Sequence, residues 1–272
     1  MTISVIQINL NRPRKSLDNF YSYLVRNPNT LGLVQEAYKY KGIIPRHKDS
    51  NIFGDQAGRA AIIAPKHFPI LVVSQLCSPD YTVVQMVMEN KSQFFCSIYL
   101  DIKLNVIGTE LVNICNFFKN NNSNAVLGLD SNSWSPLWGS RESNPRGMEL
   151  EVFIIQNNLF VHNKGSAPTF QTSRASSTID LTISYGDSNL IKGWHTMNEY
   201  FFSDHKALKF QVTVGNIPHP TVQVVNWSNF KEALVINDRF YEIWTLDIIE
   251  DEAMLIQQVV EMHFTKVRMN KK

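Results

Sequence analysis

The chain has 272 residues, 44% of them hydrophobic, and a formal net charge of +2 at pH 7. A chain of this length and composition can bury one sizeable core together with a smaller appendage. No uninterrupted apolar run approaches the length of a membrane span, and the N-terminus begins with an alternating strand pattern instead of a signal peptide. We therefore expect a protein without a membrane partner.

The charge is unevenly distributed along the chain. Residues 1–80 carry ten Lys/Arg against five Asp/Glu, whereas residues 216–272 carry six against eight. A basic surface can contact nucleic-acid phosphates, but an ordinary solvated surface explains this pattern equally well. The cysteines Cys77, Cys96 and Cys115 lack metal-ligand spacing and predict reduced thiols in an intracellular protein.

The secondary-structure pattern alternates between strands and helices. Runs rich in β-branched and aromatic residues predict strands over Ile3–Asn9, Leu31–Gln35, Ala60–Ala64, Val83–Met88, Phe94–Tyr99, Ala125–Leu129, Thr178–Ser184 and Ala207–Val212. Apolar residues at helical spacing predict helices over Pro13–Arg26, Val106–Asn120 and Arg146–Asn157. Because no helix interrupts the strands between Ala60 and Leu100, not all pairings can be parallel βαβ units. The predicted fold is α/β, with two mixed β-sheets packed as a sandwich and helices outside.

The pattern changes after Val214, where Gly and Pro residues punctuate the chain. We predict one domain over residues 1–214 and a partly helical segment over residues 215–272. Helix-like runs lie at 227–230 and at Leu246–Val267, and the second has an apolar stripe. This stripe indicates either a connector to a further domain or a helix packed on the first domain.

Polar residues stand at the ends of several predicted strands. Asn9 ends the first strand, Glu36 follows the second, and Asp130 follows the run Ala125–Leu129. Because strand ends can converge on one site although the chain between them is long, we expect these side chains to meet. The complete set has four carboxylates, two amides and one imidazole: Asn9, Glu36, Asp130, Asn132, Asp180, Asp204 and His205.

Hard oxygen ligands of this kind suit Mg²⁺, whereas a single imidazole without clustered thiols argues against zinc. The set therefore predicts metal-assisted phosphodiester cleavage. Taken alone, each residue has a simpler explanation: Glu36 as a solvated charge, Asp130 as a turn or cap residue, Tyr99 as a core aromatic. Their joint occurrence in order favours the site.

The ordered motifs resemble the endonuclease/exonuclease/phosphatase superfamily, which has a deoxyribonuclease I-like fold, and most closely the endonuclease domains of non-LTR retrotransposons. The resemblance covers residues 1–214 and rests on Ile6–Arg12, Gln35-Glu36, Ser97-Ile98-Tyr99, Gly128–Gly139, Asn144-x-Arg146-Gly147, Thr169-Phe170, Ser177–Thr182 and Ser203-Asp204-His205. One departure is Leu129, since relatives most often have Gly-Asp-Phe-Asn in this motif. Asp130 itself is kept.

The resemblance implies a DNA endonuclease that nicks one strand and leaves a 3′-hydroxyl to prime reverse transcription. Glu36 would bind the divalent metal, Mg²⁺ with Mn²⁺ able to substitute, with Asn9 and Asp204 beside it. The resemblance further implies double-stranded DNA as substrate, a reverse transcriptase domain of the same polyprotein as partner, and the nucleus as the site of action.

Roles for the other site residues follow from the same resemblance. Asp130, with Asn132 beside it, would orient and deprotonate the attacking water. His205 would contact a phosphate oxygen, and Asp180 would orient its imidazole and raise its pKa. Tyr99 would offer its hydroxyl to the phosphate. The sequence leaves open which carboxylate is the general base.

Three residues are predicted to contact DNA: Arg12, Trp138 and Arg174. Arg174 lies in the small polar segment 171–177, which predicts a hairpin loop beside the scissile phosphate. The alternative is a solvated turn whose arginine touches only phosphate.

Two other functions remain open on the sequence. The same site serves phosphomonoesterases and phospholipid phosphodiesterases, although these relatives differ around Trp134–Trp138. A catalytically inactive nucleic-acid-binding module is disfavoured because no site position has an apolar or small replacement.

Overall fold

The computed structural model describes residues 2–87, 93–121, 123–214, 221–225 and 264–268. The chain divides into two units, Met1–Ile217 and Pro218–Lys272. Among the helices described, none is long and apolar enough to cross a membrane.

The described residues of the first unit form two six-stranded sheets and three α-helices. Its strands are β1 (Thr2–Asn9), β2 (Thr30–Gln35), β3 (Ser50–Phe53), β4 (Ala60–Pro65), β5 (Ile70–Val72), β6 (Tyr81–Met86), β7 (Gln93–Tyr99), β8 (Asn124–Asp130), β9 (Leu159–Val161), β10 (Phe170–Gln171), β11 (Ser176–Ser177), β12 (Asp180–Tyr185), β13 (Ile191–Thr196) and β14 (Leu208–Thr213). Its helices are α1 (Arg14–Arg26), α2 (Thr109–Asn120) and α3 (Pro145–Gln156).

The strand order is β13-β14-β1-β2-β4-β3 in the first sheet and β5-β6-β7-β8-β12-β9 in the second. Both sheets are mixed, since β1 runs parallel to β2 and antiparallel to β14, while β7 runs parallel to β8. A two-stranded hairpin of β10 and β11 stands apart from both sheets.

Three apolar clusters hold these layers together. Between the sheets, side chains such as Val5, Leu33 and Phe95 form the central cluster. Residues of α1, among them Leu17 and Phe20, pack on the outer face of the first sheet. Residues of α2 and α3 pack on the outer face of the second sheet. The predicted α/β sandwich with outer helices is confirmed.

The parallel strand pairs bring the site residues to one edge. Asn9 and Gln35 are register partners at the ends of β1 and β2, so Glu36 follows directly beside Asn9. Tyr99 and Asp130 are partners at the ends of β7 and β8, and Asp180 pairs with Asp130 across the antiparallel β8–β12 ladder. Parallel strands end at the same edge of a sheet, which is why these distant positions meet.

The structure differs from the sequence prediction at the sheet margins. The short strands β3, β5, β9 and β13 were not predicted, because three to six residues at a sheet margin give little periodic signal. The strand predicted from Thr178 begins at Asp180, and the N–H groups of Ile179 and Asp180 donate to Oγ1 of Thr169 instead of a neighbouring strand. Met88, predicted to end a strand, lies outside the described residues.

The second unit contains an antiparallel pair, β15 (Thr221–Val225) and β16 (Phe264–Arg268). The helix predicted over Leu246–Val267 is therefore wrong for residues 264–267, which form most of β16 and pair with β15. The remainder of that helix, and the helix-like run at 227–230, lie outside the described residues.

We predict that a protein ending at Ile217 folds without the second unit. All predicted site residues and all three apolar clusters precede that position. Circular dichroism should show cooperative thermal unfolding within a few degrees of the full chain. Insolubility or non-cooperative unfolding would show instead that residues 218–272 complete the core.

Candidate active site

Seven of the eight residues predicted to act in catalysis or metal binding line a pocket of about 330 Å³ at one edge of the sandwich. Its lining consists of Asn9, Asn11, Glu36, Tyr99, Ile102, Asp130, Asn132, Trp134, Asn144, Phe170, Ser177, Ile179, Asp204 and His205. Asp180 lies behind this lining, buried against the imidazole of His205.

An amide connects the two sheets at the pocket floor. The Nδ2 atom of Asn9 donates to Oδ2 of Asp130 over 2.8 Å and lies 3.4 Å from Oε2 of Glu36. Its Oδ1 atom accepts from the backbone N–H of Asn11 over 2.8 Å. Asn9 therefore bridges the Glu36 and Asp130 carboxylates. These contacts favour a role for Asn9 in positioning the two carboxylates over a role as a metal ligand.

Asp180 and His205 form a buried pair. Nδ1 of His205 donates to both carboxylate oxygens of Asp180, at 2.9 and 3.1 Å. Burial alone would lower the imidazole pKa, but the charge and hydrogen bond of Asp180, together with Asp130 and Asp204, raise the pKa of His205 to about 9. Because Nδ1 is bonded to Asp180, Nε2 is the nitrogen that can donate into the pocket. It lies 4.0 Å from Oδ1 of Asp204.

Asp130 is only 2% exposed. Burial and the charge of Asp180 raise its pKa to about 7, against the lowering effects of His205 and of hydrogen bonds from Asn9 and the Asn132 backbone. Its Oδ1 atom is buried and has no hydrogen-bond partner among the described residues. Such an unpaired oxygen is costly unless a cation, a proton or a water satisfies it.

Tyr99 is held from behind by Arg59. The guanidinium lies 4.5 Å from the centre of the Tyr99 ring and binds both carboxylate oxygens of Asp80, at 2.5 and 2.6 Å, as well as Asp101 at 2.7 Å. The Glu36 backbone N–H donates to the Arg59 carbonyl over 2.7 Å. Burial raises the pKa of Tyr99 to about 12, so its hydroxyl stays protonated as a donor.

The backbone turns sharply where the strands end. Asn11, Glu36 and Asn132 have positive φ angles of 49°, 46° and 48°. This left-handed conformation is uncommon for residues other than glycine and often marks functional sites. Here the turns bring Glu36 and Asn132 into the pocket lining directly after β2 and β8.

The donor set fits a hard divalent cation. Ligand atoms of Asp130, Asp180 and His205 lie within 4.8 Å of one another and could hold a metal ion. Nδ1 of His205 is already bonded to Asp180, however, so a cation at all three would compete with that pair. The unpaired oxygen of Asp130, with Glu36 and Asp204 on the same pocket wall, offers the carboxylate oxygens that such a cation prefers.

The three predicted DNA contacts have different positions. Arg12 is exposed and pairs with the Glu36 carboxylate at the pocket rim. Arg174 is exposed at the tip of the β10–β11 hairpin, where its backbone N–H donates to Oγ1 of Thr172. The prediction that Trp138 contacts DNA is wrong. Its side chain is 1% exposed and its Nε1 donates to the Ser133 carbonyl, so it belongs to the core.

The structure adds residues to which the sequence assigned no role in the site. Trp134, 40% exposed, lines the pocket where Trp138 was expected to act. The Phe170 ring lies 5.0 Å from the His205 imidazole and covers it. Arg59, which supports Tyr99, immediately precedes β4, and only its position directly before a predicted strand could have indicated it.

We predict that Asp130→Asn stabilises the metal-free domain above neutral pH. The folded-state pKa of Asp130 is raised above that of the unfolded chain, so its ionisation destabilises the fold increasingly from about pH 4 to pH 7 and fully above. One unit of such a shift corresponds to about 1.4 kcal/mol, or roughly 3–6 °C in melting temperature for a domain of this size. Thermal melts in EDTA from pH 4 to 8.5 measure it, and a difference between variant and wild type that does not grow with pH would contradict it.

The chain is similar in sequence to proteins of retrotransposable elements. Residues 93–209 match the family model described as endonuclease-reverse transcriptase. The putative 115 kDa protein of the type-1 retrotransposable element R1DM of Drosophila melanogaster is 26% identical over 267 residues, which cover 86% of this chain and 25% of that protein. The Pol polyprotein of element R1 of Bradysia coprophila is 26% identical over 196 residues, covering 65% and 19%. The chain thus spans a quarter or less of these curated relatives.

Solved structures share the fold. The endonuclease domain of TRAS1, a telomere-specific non-LTR retrotransposon, is 24% identical with a TM-score of 0.69, covering 78% of this chain and 99% of that domain. An AP endonuclease from Leishmania major has a TM-score of 0.61 at 7% identity, covering 78% and 88%. The predicted resemblance to the endonuclease/exonuclease/phosphatase superfamily, and within it to retrotransposon endonucleases, is confirmed by the family model matched over residues 93–209, by the two retrotransposon relatives and by the TRAS1 domain.

Proposed function

We propose that residues 2–214 form a metal-dependent endonuclease that nicks one strand of double-stranded DNA and leaves a 3′-hydroxyl. The observation that carries the proposal is the Asp130 carboxylate, which is buried with an unpaired oxygen beside the Asp180–His205 pair and tied through Asn9 to Glu36. An acceptor for a proton and a cationic donor thus face the same pocket, as hydrolysis of a phosphodiester requires.

A divalent cation, Mg²⁺ or Mn²⁺, would be held by Glu36 and Asp204, with Asp130 and Asn9 nearby, and would supply positive charge to the phosphate and the departing 3′-oxygen. Glu36 is paired with Arg12 in the described structure. Arg12 is exposed and lies at the rim, so it can turn from Glu36 to a DNA phosphate.

The chain's own residues divide the remaining work. Asp130 accepts a proton from the water that attacks phosphorus, and Asn132 orients that water. As the new P–O bond forms, the bond to the 3′-oxygen breaks. That oxygen takes a proton from solvent and becomes the hydroxyl, and the proton accepted by Asp130 returns to solvent, so the step balances as addition of one water. His205 donates from Nε2 to a non-bridging oxygen, since Nδ1 is held by Asp180, and the protonated Tyr99 hydroxyl donates to the phosphate.

The biological setting is proposed from the relatives. Two of them are retrotransposon proteins of which this chain covers 25% and 19%, and the matching family model is named for an endonuclease joined to a reverse transcriptase. We infer that the nick primes reverse transcription by a reverse transcriptase domain of the same polyprotein, acting in the nucleus where the target DNA lies.

Supercoiled plasmid incubated with the protein and Mg²⁺ tests the activity. We expect relaxed circles carrying a 3′-hydroxyl that a polymerase extends, and no product in EDTA. His205→Ala and Asp130→Ala should each lower the nicking rate by about 10²–10⁴-fold, while DNA binding stays within a few-fold, because both residues act on the transition state.

Lys192→Ala, an exposed cation on β13 away from the pocket, is the matched control and should nick like wild type. Intact plasmid together with hydrolysis of a phospholipid or an inositol phosphate would assign the site to another branch of the superfamily. Near-normal turnover by a folded His205→Ala variant would remove His205 from the reaction.

The β10–β11 hairpin should direct where nicks occur. Its base is fixed to the site, since the Gln171 N–H donates to the Asp204 carbonyl over 2.8 Å and the Lys206 N–H donates to the Thr169 carbonyl over 2.7 Å. Arg174 at its tip can reach a DNA groove, where narrow A·T-rich segments attract arginine.

Arg174→Ala should therefore redistribute nicks along a long duplex more than it lowers total nicking, as mapped by primer extension. Lys164→Ala, an exposed cation before the hairpin, serves as the control. An unchanged pattern at a lower rate would make Arg174 a phosphate contact only.

A further inference from the structure

The guanidinium of Arg146, the second residue of α3, donates to four backbone carbonyls. Nη1 donates to Leu104 over 2.5 Å, and Nη2 donates to Leu100 over 3.4 Å. Nη2 also donates to Ser131 over 3.3 Å, and Nε donates to Asn132 over 3.2 Å. These acceptors lie on the two segments that follow β7 and β8, so one side chain connects both segments.

Two of these carbonyls fix the backbone of Asn132. The Ser131 carbonyl belongs to the peptide plane before Asn132, and the Asn132 carbonyl belongs to the plane after it. Because the guanidinium binds both oxygens, it holds the φ and ψ angles between the two planes. The φ angle of Asn132 is 48°, a left-handed conformation that persists in a residue other than glycine only where surrounding contacts enforce it. Arg146 supplies such contacts.

This conformation sets the position of both polar groups of Asn132. Its backbone N–H donates to the Asp130 carboxylate, and its Nδ2 donates to the Leu100 carbonyl over 3.1 Å. Since Nδ2 is bonded to the backbone, Oδ1 is the amide atom that can accept from a water in the pocket. Arg146 binds the same Leu100 carbonyl, so the guanidinium, the Asn132 amide and the segment after β7 form one network.

The contacts of Arg146 are specific to a guanidinium. Among the described residues, no carboxylate forms an ion pair with it. Burial lowers the pKa of Arg146 from its ordinary value, while the charges of Asp101, Glu149 and Asp130 raise it. The planar fork of a guanidinium directs its N–H groups to several separate acceptors, whereas a lysine offers all its donors from a single nitrogen.

Arg146 lies outside the pocket lining, so it affects the reaction only through the residues that it holds. The helix that carries it is anchored, because Asn144 accepts from the Gly147 N–H over 2.7 Å and Ile154 packs in the core. A guanidinium on this anchored helix therefore fixes the segment that contains Asn132.

We propose that Arg146 is a positioning residue of the active site, which holds Asn132 in the conformation that orients the attacking water. The proposal rests on the nuclease function proposed above and deepens it. It also explains the pattern Asn144-x-Arg146-Gly147: the asparagine caps α3, the glycine permits close approach to the Trp134 carbonyl, and the arginine holds the site.

Arg146→Lys is the test variant, because it keeps the charge and an aliphatic stem but loses the planar fork. Nicking of a duplex of fixed sequence should show a kcat lowered by about 10²-fold, the effect that a misplacement of about 1 Å has in an active site. KM should stay within a few-fold, because Arg146 does not line the pocket. An unchanged kcat, or a change confined to KM, would overturn the proposal.

Ile154→Val is the matched control, since it removes one methylene from a buried residue of the same helix. It should lower the melting temperature by about 2–4 °C and leave kcat unchanged. An equal loss of kcat in both variants would reduce the effect of Arg146 to general stability, against the proposal. Arg146→Gln, whose shorter amide reaches fewer carbonyls, is the second variant if Arg146→Lys does not unfold cooperatively, and it should lower kcat in the same way.

A double-mutant cycle with Asn132→Ala tests whether Arg146 acts through Asn132. Once the Asn132 amide is absent, Arg146→Lys should lower kcat by only a few-fold further, because the two residues act as a unit. Losses in kcat that multiply would show that the two residues act independently, which contradicts the proposal.

Hydrogen exchange measured in EDTA without DNA separates this proposal from the nuclease function. Amides in segments 100–104 and 131–133 should exchange faster in Arg146→Lys than in wild type and in Ile154→Val, because the bonds that hold both segments are lost. If wild type nicks no DNA, the nuclease function fails while exchange still tests the positioning. Equal exchange in the three proteins would show that Arg146 does not hold these segments, and the proposal would then be wrong.

Discussion

Two buried glutamines hold the sheets in the register on which the active site depends. Nε2 of Gln7 donates to the carbonyls of Leu129 and Leu181, at 3.1 and 3.0 Å, and Nε2 of Gln35 donates to Ser97 and to the Gly128 carbonyl. Both glutamines belong to the first sheet, and all four acceptors belong to the second. Apolar packing between sheets tolerates sliding, whereas a buried amide left unpaired costs about 1–3 kcal/mol, so these bonds select one alignment.

The hydrogen bond between Asn9 of the first sheet and Asp130 of the second sheet follows from that alignment. Asn9 is two residues beyond Gln7 on β1, and Asp130 follows Leu129 on β8, so the glutamine bonds place the Asn9 amide beside the Asp130 carboxylate. Gly128 makes the approach possible, because a Cβ atom there would lie 2.9 Å from the Gln7 amide. The glycine of this motif therefore serves the packing of the sheets, and the aspartate two residues later provides a carboxylate of the proposed site.

The sequence predicted the parts of the site that lie on long buried strands. Asn9, Asp130 and Asp180 terminate or begin strands whose apolar periodicity was clear, so their convergence followed from the fold. The sequence did not show which of the two tryptophans, Trp134 or Trp138, faces the pocket. Their difference in burial depends on the turn that Ser135 and Asn144 stabilise. Contacts such as those of Arg59 with Tyr99, forty residues apart in the chain, depend on tertiary packing that leaves no local pattern.

Asp130 and His205 carry opposite charges over the same range of pH, for different physical reasons. A low-polarity environment raises the pKa of Asp130 to about 7, while the charge of Asp180 raises that of His205 to about 9 against the effect of burial. Between these values the carboxylate is ionised and the imidazolium is still charged, so an acceptor and a cationic donor coexist a few ångströms apart. Removing the charge of Asp180 would lower both pKa values, and would therefore shift to lower pH the range in which an ionised Asp130 coexists with a charged His205. The buried third charge, which touches no substrate, therefore sets the pH range in which the other two can act together.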